Sequence, residues 1–365
     1  MFWSKDDIVE RLSKIPRTLE DISIEIFEGV PPANDLVFEN CLSKGHCIDA
    51  SSSCRNPQTN ISVEQVRIEK ELMYPYMDGS VLNEFAVHSS HSQFMLPYEI
   101  IGYNIRKEYR IIQPEELKTK FPVAYKQLME TKQNSGIEKE ELDSADCYRL
   151  KDESFLQYMK TPKIIITNGT RLHASYDVSG NHVFADGIGV VLGDPTLFHY
   201  VTAVLNSSIA RVLPEIWNRE KMQSSNHLNS KMLKRFPIVF PKKEVTETLI
   251  STICRYLIYL NRQKQTAKTY SIPGYKNLID FYKRIADLLI LDAYTTNDLD
   301  PKLLEILAEN ITASGEEFEY SDDISLLIGL QEIKKNILSS SDFRKCRFNN
   351  EFTNILATLK NNGIW

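Results

Sequence analysis

No segment of this 365-residue sequence is apolar for long enough to cross a membrane as a helix. The richest run, around Leu288-Leu289-Ile290-Leu291, stops far short of the ~20 residues that a spanning helix requires. The first fourteen residues mix acids and bases from the fourth onward and contain no apolar signal core. Together these absences imply a cytoplasmic protein with no membrane partner. Also missing is the close Cys-x2-Cys pair that sets two thiolates on one zinc. The six cysteines, at positions 41, 47, 54, 147, 254 and 346, are scattered along the chain and do not frame a small secreted domain. Cys41, His46, Cys47 and Cys54 come nearest to a ligand cluster, but their spacing reads as reduced thiols in a loop. His88 and His91 read as part of a polar, Ser-rich loop. No metal is expected.

Catalytic signatures are equally scarce. An enzyme that methylates adenine holds the extruded base with an Asn/Asp-Pro-Pro-Tyr/Phe segment. The nearest match here, Val30-Pro31-Pro32-Ala33, has neither an acid or amide before it nor an aromatic after it. The run from Gly187 to Gly193 holds three glycines but opens no helix with an acidic ribose partner beyond it. It reads instead as a buried strand bracketed by turns. There is no Gly-x-Ser-x-Gly, no P-loop and no His-Glu-x-x-His. Glu138-Lys139-Glu140 lies in a solvated charge run and not in a spaced acid-lysine nuclease centre. Internal repeats and low-complexity tracts are absent as well.

The sequence does hold the material for two or three globular domains, with 42% hydrophobic residues. The net charge of −6 is unevenly spread. Residues 1–100 carry 8 Lys+Arg against 16 Asp+Glu, while residues 201–290 carry 15 against 6. A basic segment between acidic ends permits phosphate contacts over a limited surface.

Periodicity divides the chain into a mixed α/β part up to about residue 240 and a helical part beyond it, an α+β protein. A helix over 6–14 ends at Pro16, and Ile22, Ile24 and Ile26 alternate as a strand. Residues 40–62 read as loop and 94–112 as strand with a break at Pro97. A helix over 114–133 is interrupted by Pro122, which is an alternative start. Strands are expected at 162–167, 182–185 and 189–192, with a turn at 177–181. Helices follow at 195–213, 244–266, 274–295, 300–310, 323–338 and 350–361. The face of Leu249, Ile250, Ile253, Leu257 and Leu260 serves either a private core with helix 274–295 or docking onto another domain. The expected organisation is 1–93, the N-terminal part of a recognition region; 94–243, an α/β recognition domain; and 244–365, a helical domain.

Five segments occur in a suggestive order. They are IFEGVPPANDLVFE with Gly29, Asn34 and Phe38; EKELMYPYMDGSVLNEF at 69–85; FMLPYEIIGY and LKTKFPVAYKQLME within 94–130; PKIIITNGTRLHASYDVSGNHVFAD at 162–186; and LFHYVTAVLNSSIARVL through HLNSKMLKRFPI at 197–238. In this order they resemble the TaqI-like C-terminal specificity region of N6-adenine DNA methyltransferases and their fused type II restriction-modification relatives. The likeness covers roughly residues 20–240. Two departures are that Pro31-Pro32-Ala33 replaces a Thr-Gly, and that no Trp precedes the Pro-Lys-Ile strand. The resemblance implies a sequence-specific module for duplex DNA with no catalytic residues of its own. It implies as partner a methyltransferase or methyltransferase-nuclease domain or subunit, which would carry S-adenosylmethionine; no cofactor is expected in this chain. Two readings stay open beside it: a protein-interaction or regulatory subunit that does not bind DNA by itself, and an independent nuclease.

Such a module needs side chains for base edges, flanked by phosphate anchors. Asn104, Arg106, Lys107 and Arg110 follow a strand, in a loop able to enter a groove. Lys163, Asn168, Arg171 and His173 lie on or just after the Pro-Lys-Ile strand, with Arg171 presented by a turn containing Gly169. Arg219, Lys221, Gln223, Asn226 and His227 form a polar loop. Lys231, Lys234 and Arg235 are candidates for phosphate neutralisation.

Overall fold

The computed structural model describes residues 10–30, 36–39, 41–44, 47–50, 54–55, 62–63, 67–78, 84–87, 92–134, 144–167, 172–211, 228–267, 272–295, 299–311, 318 and 325–345. The strands in chain order are β1 (Ser23–Glu28), β2 (Val37–Glu39), β3 (Cys41–Lys44), β4 (Cys47–Ala50), β5 (Cys54–Arg55), β6 (Ser62–Val63), β7 (Arg67–Glu69) and β8 (Met73–Asp78). They continue with β9 (Phe85–Ala86), β10 (Ser92–Met95), β11 (Tyr98–Ile101), β12 (Glu108–Ile111), β13 (Lys163–Thr167), β14 (Ala174–Asp177), β15 (Val183–Ala185) and β16 (Gly187–Leu192). The helices are α1 (Leu19–Ile22), α2 (Pro114–Lys120), α3 (Pro122–Asn134), α4 (Phe198–Leu205), α5 (Ser230–Lys234), α6 (Glu244–Thr266), α7 (Ile272–Tyr294), α8 (Pro301–Asn310), α9 (Ser325–Ser339) and α10 (Ser341–Lys345). The class is α+β, as expected, with helices filling the C-terminal part. Among the described residues no helix is long and apolar enough to cross a membrane.

The centre is a five-stranded sheet in the order β1-β16-β13-β14-β9, antiparallel except for the β14–β9 pair. Lys-Ile-Ile-Ile-Thr and Gly-Ile-Gly-Val-Val-Leu are unbroken apolar runs because both faces of these strands are covered. Ile164 and Ile166 of β13, with Ile188, Val190 and Leu192 of β16, enter one core. Ile165 and Val191, one residue out of phase, enter the other. The first core lies between the sheet and helices α4, α6 and α7. The second lies between the sheet and a four-stranded sheet, β15-β8-β10-β2, with α2 and α3 at its side. The run from Gly187 to Leu192 is therefore the fully buried strand that its composition suggested.

Several local outcomes differ from the periodicity. Ile22, Ile24 and Ile26 do not share a face, because the β1 register shifts between Ser23 and Glu25. Ile24 packs on the second core, and Ile22 and Ile26 on the first. Residues 40–62, expected as loop, contain the short strands β3, β4 and β5 and the start of β6. The side chains of Cys41, Cys47 and Cys54, together with His46, lie outside the described residues, as do His88 and His91, helix 350–361 and the start of helix 6–14.

The 114–133 region is two helices. Phe121 ends α2 in a non-helical conformation, and Pro122 starts α3. A first-turn proline lacks a donor that a helix start would leave unbonded in any case. The next two amides, of Val123 and Ala124, donate to Glu69 of β7 at 3.0 and 2.9 Å. The 195–213 helix likewise breaks, ending as α4 at Leu205, with Asn206 turned onto the sheet.

The boundaries at 93 and 243 do not divide the cores. β1 and β9, from the first hundred residues, belong to the central sheet. Leu249, Ile250, Ile253, Leu257 and Leu260 are all at or below 2% exposed, in the same core as Ile164 and Val190. That helix face serves the protein's own interior and not an external domain. Tyr282 fastens the tail by donating to the Leu330 carbonyl at 2.7 Å.

The tightest spot in the sheet is Gly189, whose place a side chain cannot share. A Cβ there would stand 2.5 Å from the Phe27 ring and 2.9 Å from Phe184. Gly189→Val is expected to lower the unfolding free energy by about 1–3 kcal/mol through overpacking, read as a lower urea midpoint at unchanged slope.

Candidate nucleic-acid interface

Lys163, expected at the DNA surface, is 1% exposed. The β13–β14 register sets it directly opposite Asp177, and its Nζ lies 3.3 Å from Asp177 Oδ2. It also donates to the Gly180 carbonyl. Asp177 accepts further bonds from Ser179 Oγ at 2.8 Å, Gly180 N at 3.0 Å and His182 N at 3.1 Å, with His182 Nδ1 2.9 Å away. Burial alone would raise the Asp177 pKa. The Lys163 ammonium, the His182 ring and the Ser179 hydroxyl overcome it and hold the carboxyl well below the usual range. Gly180, at φ +66°, lies against Thr161, whose backbone would be 2.3 Å from any Cβ. The group is a clasp that fixes the 177–182 turn, so Lys163 makes no nucleic-acid contact. A sequence reading sees an exposed-type residue at a strand start; it cannot see the cross-strand carboxylate.

The other expected residues fall at two ends of β13. At its Thr167 end, Thr167 N donates to His173 O at 3.0 Å and His173 N to Thr167 Oγ1 at 3.1 Å. His173 is half-buried; its backbone closes the strand pair. Asn168 and Arg171 lie outside the described residues, as do Arg219, Lys221, Gln223, Asn226 and His227. The described ends of both segments nevertheless meet here. Asn206 pins α4 to the first residue of β14, donating from Nδ2 to Ala174 O at 2.7 Å and accepting from Ala174 N at 3.0 Å. Arg211, which leads into segment 212–227, shares a cleft with Asn206, Lys283 and Arg284. Where that segment returns, Ser230 N donates to Glu28 at the end of β1, at 2.8 Å. Asn229 caps α5 by accepting from Met232 N at 2.9 Å. Lys231 of α5 and Arg235, which caps its C-terminus, are exposed, and Lys234 is 3.4 Å from Glu20.

At the Lys163 end stands the β11–β12 hairpin, paired from Tyr98↔Ile111 to Ile101↔Glu108. Its base is rigid. Tyr98 Oη donates to Glu153 at 2.7 Å and accepts from Leu150 N at 2.9 Å. Arg110 is engaged by Glu116, at 2.7 and 3.0 Å, and by Glu99, at 2.5 Å. The hydrogen bonds to Arg110, then those to Lys120, bring the Glu116 pKa down to about 2. Arg110 thus braces the hairpin through two carboxylates while its side chain stays 44% exposed. Lys107 folds back to donate to Asn104 O at 2.6 Å. Asn104 and Arg106 remain exposed, although Arg106 lies 3.6 Å from Glu25. Tyr103, at the tip, is 103% exposed, the highest value among the large apolar side chains described.

Sequence reasoning missed Tyr103, Asn206 as a pin, and the cations Lys283 and Arg284. Lys283 and Arg284 fall on the polar positions between the buried Tyr282 and Ile285, where periodicity reads them as solvation.

Asp177→Asn is expected to cost about 3–5 kcal/mol at neutral pH, because the buried Lys163 ammonium loses its counter-charge. The folded-state pKa of Asp177 lies below its ordinary 3.8. Its stabilisation is therefore complete above that value and is lost as pH falls beneath it. Urea titrations of the two proteins should converge only in that acid range. No protein-family model matches this sequence, and no curated protein matches it either.

Proposed function

We propose that this chain is the sequence-specific duplex-DNA recognition module of an adenine-N6 restriction-modification methyltransferase, without catalytic residues of its own. It works in the cytoplasm with a methyltransferase or methyltransferase-nuclease partner, and that partner binds S-adenosylmethionine. The supporting observation is the convergence of the basic segments. Arg211, Lys283 and Arg284 line the cleft beside β9, Lys231 lies at the β1 edge of the same sheet end, and the residues flanking 168–171 and 212–227 lie between them. Cations on a fixed frame can neutralise phosphates and set register. Polar loops leaving that frame can then reach base edges.

The hairpin supports a division of labour. A two-stranded ribbon fits the major groove, and Asn104 and Arg106 at its tip have the donors for bidentate readout of adenine and guanine. Tyr103 favours a second reading for this element. An exposed aromatic beside an Arg on a rigid loop is the composition of a protein hot spot, here for the methyltransferase partner.

The test is selection from random duplexes at two salt concentrations, with sequencing of the retained fraction. An enriched motif and a steep fall of affinity with salt are expected. Lys231→Ala should weaken binding across all sequences and flatten the log–log salt slope by about 0.9 for each phosphate left unneutralised. Asn104→Ala or Arg106→Ala should relax the motif, with discrimination falling by about 1–3 kcal/mol for each bidentate base pairing removed. Absence of retention at low salt would overturn autonomous DNA recognition. Salt-insensitive capture by the methyltransferase through Tyr103 would establish the second reading.

A further inference from the structure

Strand β9 is two residues long, yet it holds a bulky side chain in a backbone conformation suited to glycine. Phe85 has φ +70°, and Ala86 N donates to Glu84 O at 2.9 Å, closing a three-residue turn. Such a turn is strained and persists only where its surroundings enforce it; strain of this kind gathers at ligand sites. Here the Phe85 ring is 2% exposed in the first core, and the parallel pairing with Ser175 and Tyr176 holds the strand in place. The turn delivers the carboxylate of Glu84 to a point 2.5 Å from Lys283 Nζ and 3.9 Å from the Arg211 guanidinium.

These two cations line the cleft described above, which encloses about 450 Å³. Phe85, Ala203 and Ile290 give it apolar walls, and Arg284 stands with Asp280 on its exposed side. Two acids line the cleft, Asp280 on its exposed side and Asp287, which is already engaged. Asp287 accepts from Ser208 N at 2.7 Å and Ser208 Oγ at 2.9 Å. Burial pushes its pKa up, against the Ser208 bonds and the nearby Arg211 and Lys283. Glu84 and Asp287 both face these cations; Glu84 is the one at ion-pair distance, and its side chain is 25% exposed. The Lys283 and Glu84 side chains keep 22% and 25% exposure, so the pair is only partly screened yet open to an incoming anion. A phosphate accepts from an Arg fork and a Lys together, in charge-assisted bonds stronger than those of neutral partners.

We infer that this cleft is a phosphate-ester site, gripped by Arg211 and Lys283, with which Glu84 pairs until ligand displaces it. The site uses cations that the DNA reading also uses, but it does not depend on that reading, since the phosphate can belong to a duplex backbone or to a free nucleotide.

Calorimetric titration of the full chain with inorganic phosphate, at constant ionic strength set by chloride, tests it. Glu84→Gln should bind phosphate about tenfold tighter than wild type, and Lys283→Gln about tenfold weaker. Arg284→Gln, an exposed change that leaves the fold untouched, should also weaken binding. Displacement of phosphate by a short duplex identifies the DNA backbone as the source. Displacement by a nucleoside monophosphate but not by duplex identifies a free nucleotide, and leaves the site standing while removing its link to DNA recognition. No phosphate binding in either wild type or Glu84→Gln, or equal affinities across all four proteins, would overturn the inference.

Discussion

Ile164, Ile165 and Ile166 of β13 are all fully buried, alternate ones in different cores, so the strand has no solvent side. Everything polar in its neighbourhood must be matched internally or moved to its ends. Lys163, at the entry of the strand, is matched: five polar groups converge on Asp177 opposite it. At the exit, Thr167 and His173 satisfy one another, and Asn206 completes the backbone of Ala174 from the helical layer. Removing water from both faces is thus what confines the variable chemistry of the molecule to the two ends of one strand. Rigid apolar walls also mean that loops leaving those ends start from fixed points, as a recognition element requires.

The elements were largely legible because buried strands and amphipathic helices leave strong periodic signals. Helices over 244–266 and 274–295, the strand at 163–167 and the Pro122 break all have local causes in the sequence. What escaped was non-local. The shift at Ser23/Glu25 depends on the partner strand and cannot be read from Ile22, Ile24 and Ile26 alone. Strand β14 hides in a polar stretch, because Ser175 and Asp177 are satisfied by neighbours and not by solvent. Lys163 and Arg110 carry the same formal charge as a phosphate-binding residue, and only their carboxylate partners distinguish a clasp or strut from a contact. In the same way the cleft draws on β9, α4 and α7, segments that no motif links.

The candidate contacts, once placed, fall into unlike groups. The Thr167 end is concave, with cations and carboxylates interleaved around its cleft. The hairpin at the Lys163 end is convex, with an aromatic at its tip and balanced charge along its stem. β13 spans about 13 Å between its outermost residues. A single rigid body can therefore offer both surfaces to one partner, or to two partners meeting at its edge.

The pairing of β1 with β16 has a consequence for biosynthesis. Glu28 sits opposite Ile188, 160 positions later in the chain, so the N-terminal strand has no neighbour until most of the sheet has been made. At about 5–20 residues per second, a ribosome takes roughly 8–30 s to cover that distance. During this interval Ile26 and Phe27 remain without the cores that will enclose them. Capturing an edge strand across so long a loop carries a closure entropy that local pairings do not, and it can be met only after β16 emerges.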